Sequence, residues 1–246
     1  MEITGKISSF LESDLIKGSY EEVWTETEIK FLLHKDWLKY IASQENVVVK
    51  KIEQIYLPEE IVSLYIDQLR IPSNVAFKEW CIRCLNDDEF VFISKTAAGK
   101  GGTQRQGYQV EITKKLFDQL KKNAQDQDRL QYIDKTRYSL KCIFEDTEVG
   151  VDVDDYHVTG KGKKELDFIT CEVEVPSIKL ADAIISAKFF PKELQFLRHG
   201  YNITGIIIFF NKYLAKDGFI VDSYSGLLDW LYQYHFNNVE KNVIFL

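Results

Sequence analysis

Two pairs of glutamates, Glu26 with Glu28 and Glu172 with Glu174, are each separated by one residue. In an extended strand successive side chains point to opposite faces, so each pair presents both carboxylates on one side. Hard oxygen donors of this kind suit Mg²⁺ or Mn²⁺. Bases recur on strand-like segments with the same alternation: Lys30, Arg83, Lys95, Arg105, Lys135 and Arg137. Together they would clamp a polyanion. A metal between carboxylates and phosphate oxygens offsets charge, polarises phosphorus and lowers the pKa of bound water. Phosphoryl transfer depends mostly on positioning and charge stabilisation, so this inventory suffices without a nucleophilic side chain.

Such side chains need a scaffold, and the period of two supplies it. Strands are expected at 24–33, 46–57, 78–85, 89–96, 105–112, 131–144, 149–157 and 166–175. In the first, Glu26, Glu28 and Lys30 share a face opposite Thr25, Thr27, Ile29 and Phe31. The acids Glu26, Glu28, Glu111, Asp152, Asp154, Glu172 and Glu174 and the six bases all fall on the charged parity of their strands. The other parity is apolar. If the eight strands close, one parity must line the lumen. Helices expected at 36–42, 113–127, 176–187 and through much of 191–246 can cover an apolar outside. The expectation is therefore an α+β protein, an eight-stranded antiparallel β-barrel with a charged interior and helices packed outside. An open sheet with a solvated, salt-bridged face is the alternative.

Composition narrows the function classes. The 246 residues include 45% hydrophobic and 28% charged side chains, enough for one globular domain. A net charge of −7 argues against DNA binding, which favours a basic surface. The chain has no secretory signal pattern and no apolar run long enough to span a bilayer, so a cytoplasmic location and no membrane association are expected. Cys81, Cys84, Cys142 and Cys171 read as reduced thiols. Cys81-Ile82-Arg83-Cys84 has the C-x-x-C spacing but lies within a strand, away from the helix start that redox chemistry uses. The glycine-rich run 97–103 lacks the order of a phosphate loop and reads as a flexible connection. Residues 1–18 form a short lead, helical around 8–17. Trp230, Tyr232, Tyr234, His235 and Phe236 lie in an aromatic C-terminal extension, 203–246, expected to pack over the barrel's apolar exterior or to serve a homodimer or protein partner. His34, His157 and His199 are expected to be structural, with His157 beside a strand that carries candidate acids.

The order of these motifs resembles the CYTH, or triphosphate tunnel metalloenzyme, superfamily. Glu26-Thr27-Glu28-Ile29-Lys30 matches its E-x-E-x-K signature. In family order follow Gln54-Ile55-Tyr56-Leu57, Ile82-Arg83, Ile93-Ser94-Lys95, Arg105 with Glu111, Lys135-Thr136-Arg137, Asp152-Val153-Asp154-Asp155-Tyr156-His157 and Cys171-Glu172-Val173-Glu174. The similarity covers about 24–201, within a single domain whose core spans about 20–202. It implies a tunnel that takes a triphosphate with one or two divalent metals. By family role, Glu26, Glu28, Glu172 and Glu174 would be catalytic. Metal would be held by these four with Glu111 and Asp154, and phosphate by Lys30, Arg83, Lys95, Arg105, Lys135 and Arg137.

The implied activity is Mg²⁺- or Mn²⁺-dependent hydrolysis of inorganic tripolyphosphate or of a nucleoside or organic triphosphate. An RNA 5′-triphosphate end is a further conceivable substrate. A non-catalytic nucleotide or polyphosphate sensor and a class IV-type adenylyl cyclase are the alternatives. The sequence departs from the family at Cys81, which replaces the first arginine of R-x-R, at Ile55, at Gln109, and at the closing segment, where only Tyr201-Asn202 echoes the pattern.

Overall fold

The computed structural model describes residues 22–97, 99, 103–126, 131–159, 162–163, 166–206, 211–217 and 223–239. The expected lead helix, most of the 97–103 connection and the side chains of His235 and Phe236 lie outside the described residues.

The described residues form ten strands. They are β1 (Glu22–His34), β2 (Val48–Tyr56), β3 (Phe77–Leu85), β4 (Glu89–Thr96), β5 (Gln104–Glu111), β6 (Gln131–Phe144), β7 (Thr147–Thr159), the two-residue β8 (Gly162–Lys163), β9 (Phe168–Val175) and the two-residue β10 (Tyr201–Asn202). Eight of them close on themselves in the order β1-β5-β4-β3-β2-β6-β7-β9, returning to β1, and every pairing is antiparallel. The length of β1 makes closure possible. Its first half pairs with β5 (Glu26↔Arg105) while its second half pairs with β9 (Lys30↔Glu172) and β10 (Leu32↔Tyr201). The Tyr201-Asn202 echo therefore continues the β1 edge that β5 leaves. Between β6 and β7, Glu145 and Asp146 both have positive φ, 47° and 62°, which matches the right-handed twist of a two-residue hairpin.

The apolar parity faces outward and is covered on two sides. Ile29, Phe31, Leu33, Val151, Val153, Cys171 and Val173 join one cluster with Ile41 of α1 (Trp37–Ala42), Ala181 and Ile184 of α4 (Ile178–Ser186), and Leu194, Phe196 and Leu197 of a 3-10 segment at Lys192–His199. Ser177 caps α4, its Oγ accepting from the Leu180 amide at 3.2 Å. On the second side Ile55, Ile82, Phe92, Tyr108 and Val110 pack with Ile61 of α2 (Glu59–Val62) and with Leu116, Phe117, Leu120 and Ala124 of α3 (Lys114–Asp126). Burying each such side chain contributes roughly 1.5–3 kcal/mol, which is why the charged parity is left to the inside.

The C-terminal extension departs from expectation. Leu214 and Ala215 of α5 (Asn211–Asp217) and Leu227 and Leu231 of α6 (Tyr224–Val239) join a third cluster, whose barrel members Leu32, Tyr56, Cys81, Ile93, Ile133, Tyr156 and Phe168 are of the inward parity. The α5 helix contacts β6, β7 and β2. The extension thus caps one end of the lumen, where the inward side chains turn from charged to apolar, instead of lying over the outer wall. Cys81 and Cys84, three residues apart on β3, fall on opposite faces and in different clusters. All four cysteines are free and buried.

Candidate active site

The lumen holds a cavity of about 290 Å³. Glu26, Glu28 and Lys30 line it from β1, Arg83 from β3, Lys95 from β4, Arg105 from β5, Arg137 from β6, and Glu172 and Glu174 from β9. Gln54 and Tyr56, quoted above only as part of a motif, also line it, and so do Glu79, Trp24, Thr204 and Asn211, to which the sequence had assigned no role. Glu79 shares its parity with Arg83 on β3, so alternation was the available signal. Thr204 and Asn211 belong to the end cap and have no such signal. The Lys30 amide donates to Thr204 Oγ1 at 2.9 Å, and Tyr156 Oη donates to Asn211 Oδ1 at 2.9 Å.

Three expected residues are not brought to the cavity. Lys135 and Asp154 are 0% exposed and paired with each other at 2.6 Å, beneath the lining, because the β6–β7 register sets Lys135 against Tyr156 and Arg137 against Asp154. Glu111 pairs with Val91, farther along β5 than the lining residues. The histidines also stand apart. His157 Nε2 contacts Thr136 Oγ1 at 2.8 Å, His199 stacks on Trp37, and His34 packs against Tyr224.

Most of the acids are already neutralised. Glu26 accepts from Lys95 Nζ and Arg105 Nε, both at 2.6 Å, and Arg105 reaches Glu28 at 2.9 Å and Glu79 at 3.3 Å. Glu172 is held by Lys30 and Arg137, each at 2.9 Å. Burial alone would raise the Glu26 carboxyl, but Lys95 and Arg105 outweigh it and hold it below the ordinary range. Glu172 follows the same logic: burial is overcome by Lys30, Arg137 and Lys135, and its carboxyl sits well below the usual value.

Glu174 is the exception. It makes no ion pair among the described residues and lies directly opposite Glu28 across β1 and β9. Desolvation of its carboxyl, reinforced by the negative charges of Asp152, Glu26 and Glu172, pushes it up to about 7. The residue as a whole is nonetheless exposed, so solvent at that edge tempers the effect. Like charges set directly across a ladder repel unless a proton or a cation sits between them.

The two carboxylates are donors of the type a divalent cation takes. Mg²⁺ commonly takes one or two carboxylates and completes its octahedron with phosphate oxygens and water, and Glu28 with Glu174 supply two hard oxygen donors. Among the described residues no three acidic, histidine or cysteine side chains converge into a preassembled metal cage. Arg83 complements the pair from the other wall. Among the described residues its Nε is buried with no hydrogen-bond partner, a donor of the kind an anion takes.

The closed barrel with its inward charges is the architecture that the CYTH resemblance implies. No family model matches the chain, and no curated protein matches it in sequence. Among solved structures it is similar to the hypothetical protein NE1496, with a TM-score of 0.43 and 21% identity over 77% of this chain and 97% of that chain. A conserved hypothetical protein from Pyrococcus furiosus gives 0.43 and 18% over 64% of this chain and 83% of that one. A Hippeastrum protein with a dominant triphosphatase activity gives 0.42 and 11% over 65% and 84%. No helix of the described residues is long and apolar enough to cross a membrane.

Proposed function

We propose that the cavity binds the phosphate chain of a triphosphate-containing compound together with Mg²⁺ or Mn²⁺ and hydrolyses it. The observation that carries this reading is the opposition of Glu28 to an unneutralised Glu174 inside a lumen also lined by Lys30, Arg83, Lys95, Arg105 and Arg137. A cation held by Glu28 and Glu174 would polarise phosphorus and offset the charge of the phosphate oxygens. Arg83 and Lys95 bind and orient those oxygens. Arg105 and Arg137, each pinned by several carboxylates, keep the strands' charges aimed inward with little reorganisation as negative charge builds. Glu174 is the stronger base of the β9 pair, because Glu172 is held ionised by two cations. With one carboxylate oxygen on the cation, its other oxygen would accept the proton of a water attacking the terminal phosphorus as the bond to the bridging oxygen breaks.

A second reading, binding without turnover, has its own observation. Five acids (Glu26, Glu28, Glu79, Glu172, Glu174) line the cavity beside five bases (Lys30, Arg83, Lys95, Arg105, Arg137). The wall's acids and bases are therefore equal in number, which leaves no net positive charge for a polyanion, and Cys81 stands where the resemblance implies a further arginine.

The test is a screen of tripolyphosphate, nucleoside triphosphates, thiamine triphosphate and triphosphate-ended RNA with and without Mg²⁺ or Mn²⁺, using Glu28→Ala and Glu174→Ala as controls. Metal-dependent phosphate release abolished in both variants supports hydrolysis. Pyrophosphate with a cyclic nucleotide indicates a cyclase, and metal-dependent binding without product indicates a sensor. Absence of both binding and turnover for every compound ends the proposal.

A further inference from the structure

Along the inward face of β1 the order is Trp24, Glu26, Glu28, Lys30, Leu32. Trp24 is half-buried and its neighbours Val23 and Thr25 are exposed, whereas Leu32 is fully buried against the end cap. The aromatic therefore stands at the rim, outside the charged zone. Its partner across the ladder is Gly107 of β5. A Cβ at Gly107 would lie 2.4, 2.5 and 2.9 Å from three consecutive ring atoms of the indole. Near-equal distances to three bonded atoms mean that the face of the ring covers the glycine. An edge-on approach would leave the flanking atoms much farther away than the nearest. Only glycine admits this contact. The Trp24 Nε1 donates to Glu26 Oε2 at 3.2 Å, which fixes the ring's remaining rotation. One face is thus spent on the β5 backbone, and the residue lines the cavity with the rest. Lys95 is the other strand neighbour of Gly107, so the plate begins beside a phosphate-binding cation.

We infer that Trp24 is a specificity-determining platform: the ligand carries a planar aromatic group on its phosphate chain, and that group stacks on the indole at the rim while the phosphates lie deeper. This rests on the proposed reading of the cavity as a triphosphate site and adds the chemical class at the other end of the ligand. Stacking tolerates any base, because every base has a π-face, so the platform selects for an aromatic end without selecting among bases. Inorganic tripolyphosphate would bind without using it.

Equilibrium binding to the full chain with Mg²⁺ tests this without requiring turnover. The probes are non-hydrolysable methylene-bridged triphosphates of adenosine and uridine and the methylene-bridged triphosphate without a nucleoside. The ratio of nucleoside to phosphate-only affinity is expected to fall about tenfold in Trp24→Ala and in Trp24→Leu, and to stay within about threefold of the native ratio in Trp24→Phe, which keeps the plate and loses the bond to Glu26. Gly107→Ala, which displaces the indole without removing it, is expected to lower the ratio as well. If the compounds bind but the ratio is the same in every variant, Trp24 only packs the rim, and the inference falls while the triphosphate reading stands. If none of the compounds binds the native chain, that reading fails and the platform with it.

Discussion

Asp154 and Glu174 are inward acids on neighbouring strands of the same lumen, and they have opposite fates. Asp154 is fully buried and meets Lys135 at 2.6 Å and Arg137 at 2.7 Å. Burial raises its carboxyl, but Arg137 and Lys135 overcome it and hold it below the ordinary value. Glu174 faces another glutamate at the open edge and is pushed up to about 7. The first acid is part of the wall, and the second is left available. In a barrel lined with charge, the residues able to do chemistry are those that the wall's own ion pairs leave unsatisfied.

The comparison breaks most visibly by removing one partner of the deep pair. Lys135→Ala or Asp154→Ala strands a buried charge and should cost about 3–5 kcal/mol of stability in chemical denaturation. The double replacement by apolar residues should recover much of that loss. Glu174→Ala and Glu28→Ala should lower metal-dependent turnover by about 10²–10³-fold, the scale set by loss of one group that stabilises developing charge, while shifting the unfolding midpoint little. Equal damage to stability from both kinds of substitution would erase the distinction.

The two acids also titrate in opposite senses. Because Glu174's carboxyl is raised in the folded state, its contribution to stability is fully present below the unfolded value near 4.5 and is lost as pH rises through about 7. Asp154 and Glu26 are depressed, so theirs is present above the unfolded carboxylate range and lost as pH falls through their lowered folded values. Thermal unfolding of metal-free protein between pH 5 and 8 should therefore carry a downward component on the order of 1 kcal/mol, reduced by solvent at the rim, that Glu174→Gln removes. The smallest expected signal is proton release when Mn²⁺ is added near pH 6, since a metal ligand must shed its proton. Calorimetry in two buffers of different ionisation enthalpy would read a fraction of a proton in the native chain and less in Glu174→Gln.

The sequence was most informative where side chains alternate. Glu26-x-Glu28-x-Lys30, Lys135-x-Arg137, Asp152-x-Asp154 and Glu172-x-Glu174 identify strands and a shared face, because a pleated backbone leaves each residue only two sides. All eight barrel strands were legible on that basis, and an apolar opposite face requires cover by helices. Alternation measures parity and carries no information about depth. It could not show that Lys135 and Asp154 lie below the cavity floor, that Glu111 stays outside it, or that α5 brings Asn211 into the lumen. Nor did Trp24 and Gly107 stand out, since they are 83 positions apart and become neighbours only through the β1–β5 register.

Local chemistry therefore determined which residues face inward, through a periodicity written into each strand. Which of those charges neutralise each other, and which one is left over, depended on the stagger of closure and on the C-terminal cap. Coulombic pairing falls off over a few ångströms, so only the assembled barrel sets those distances.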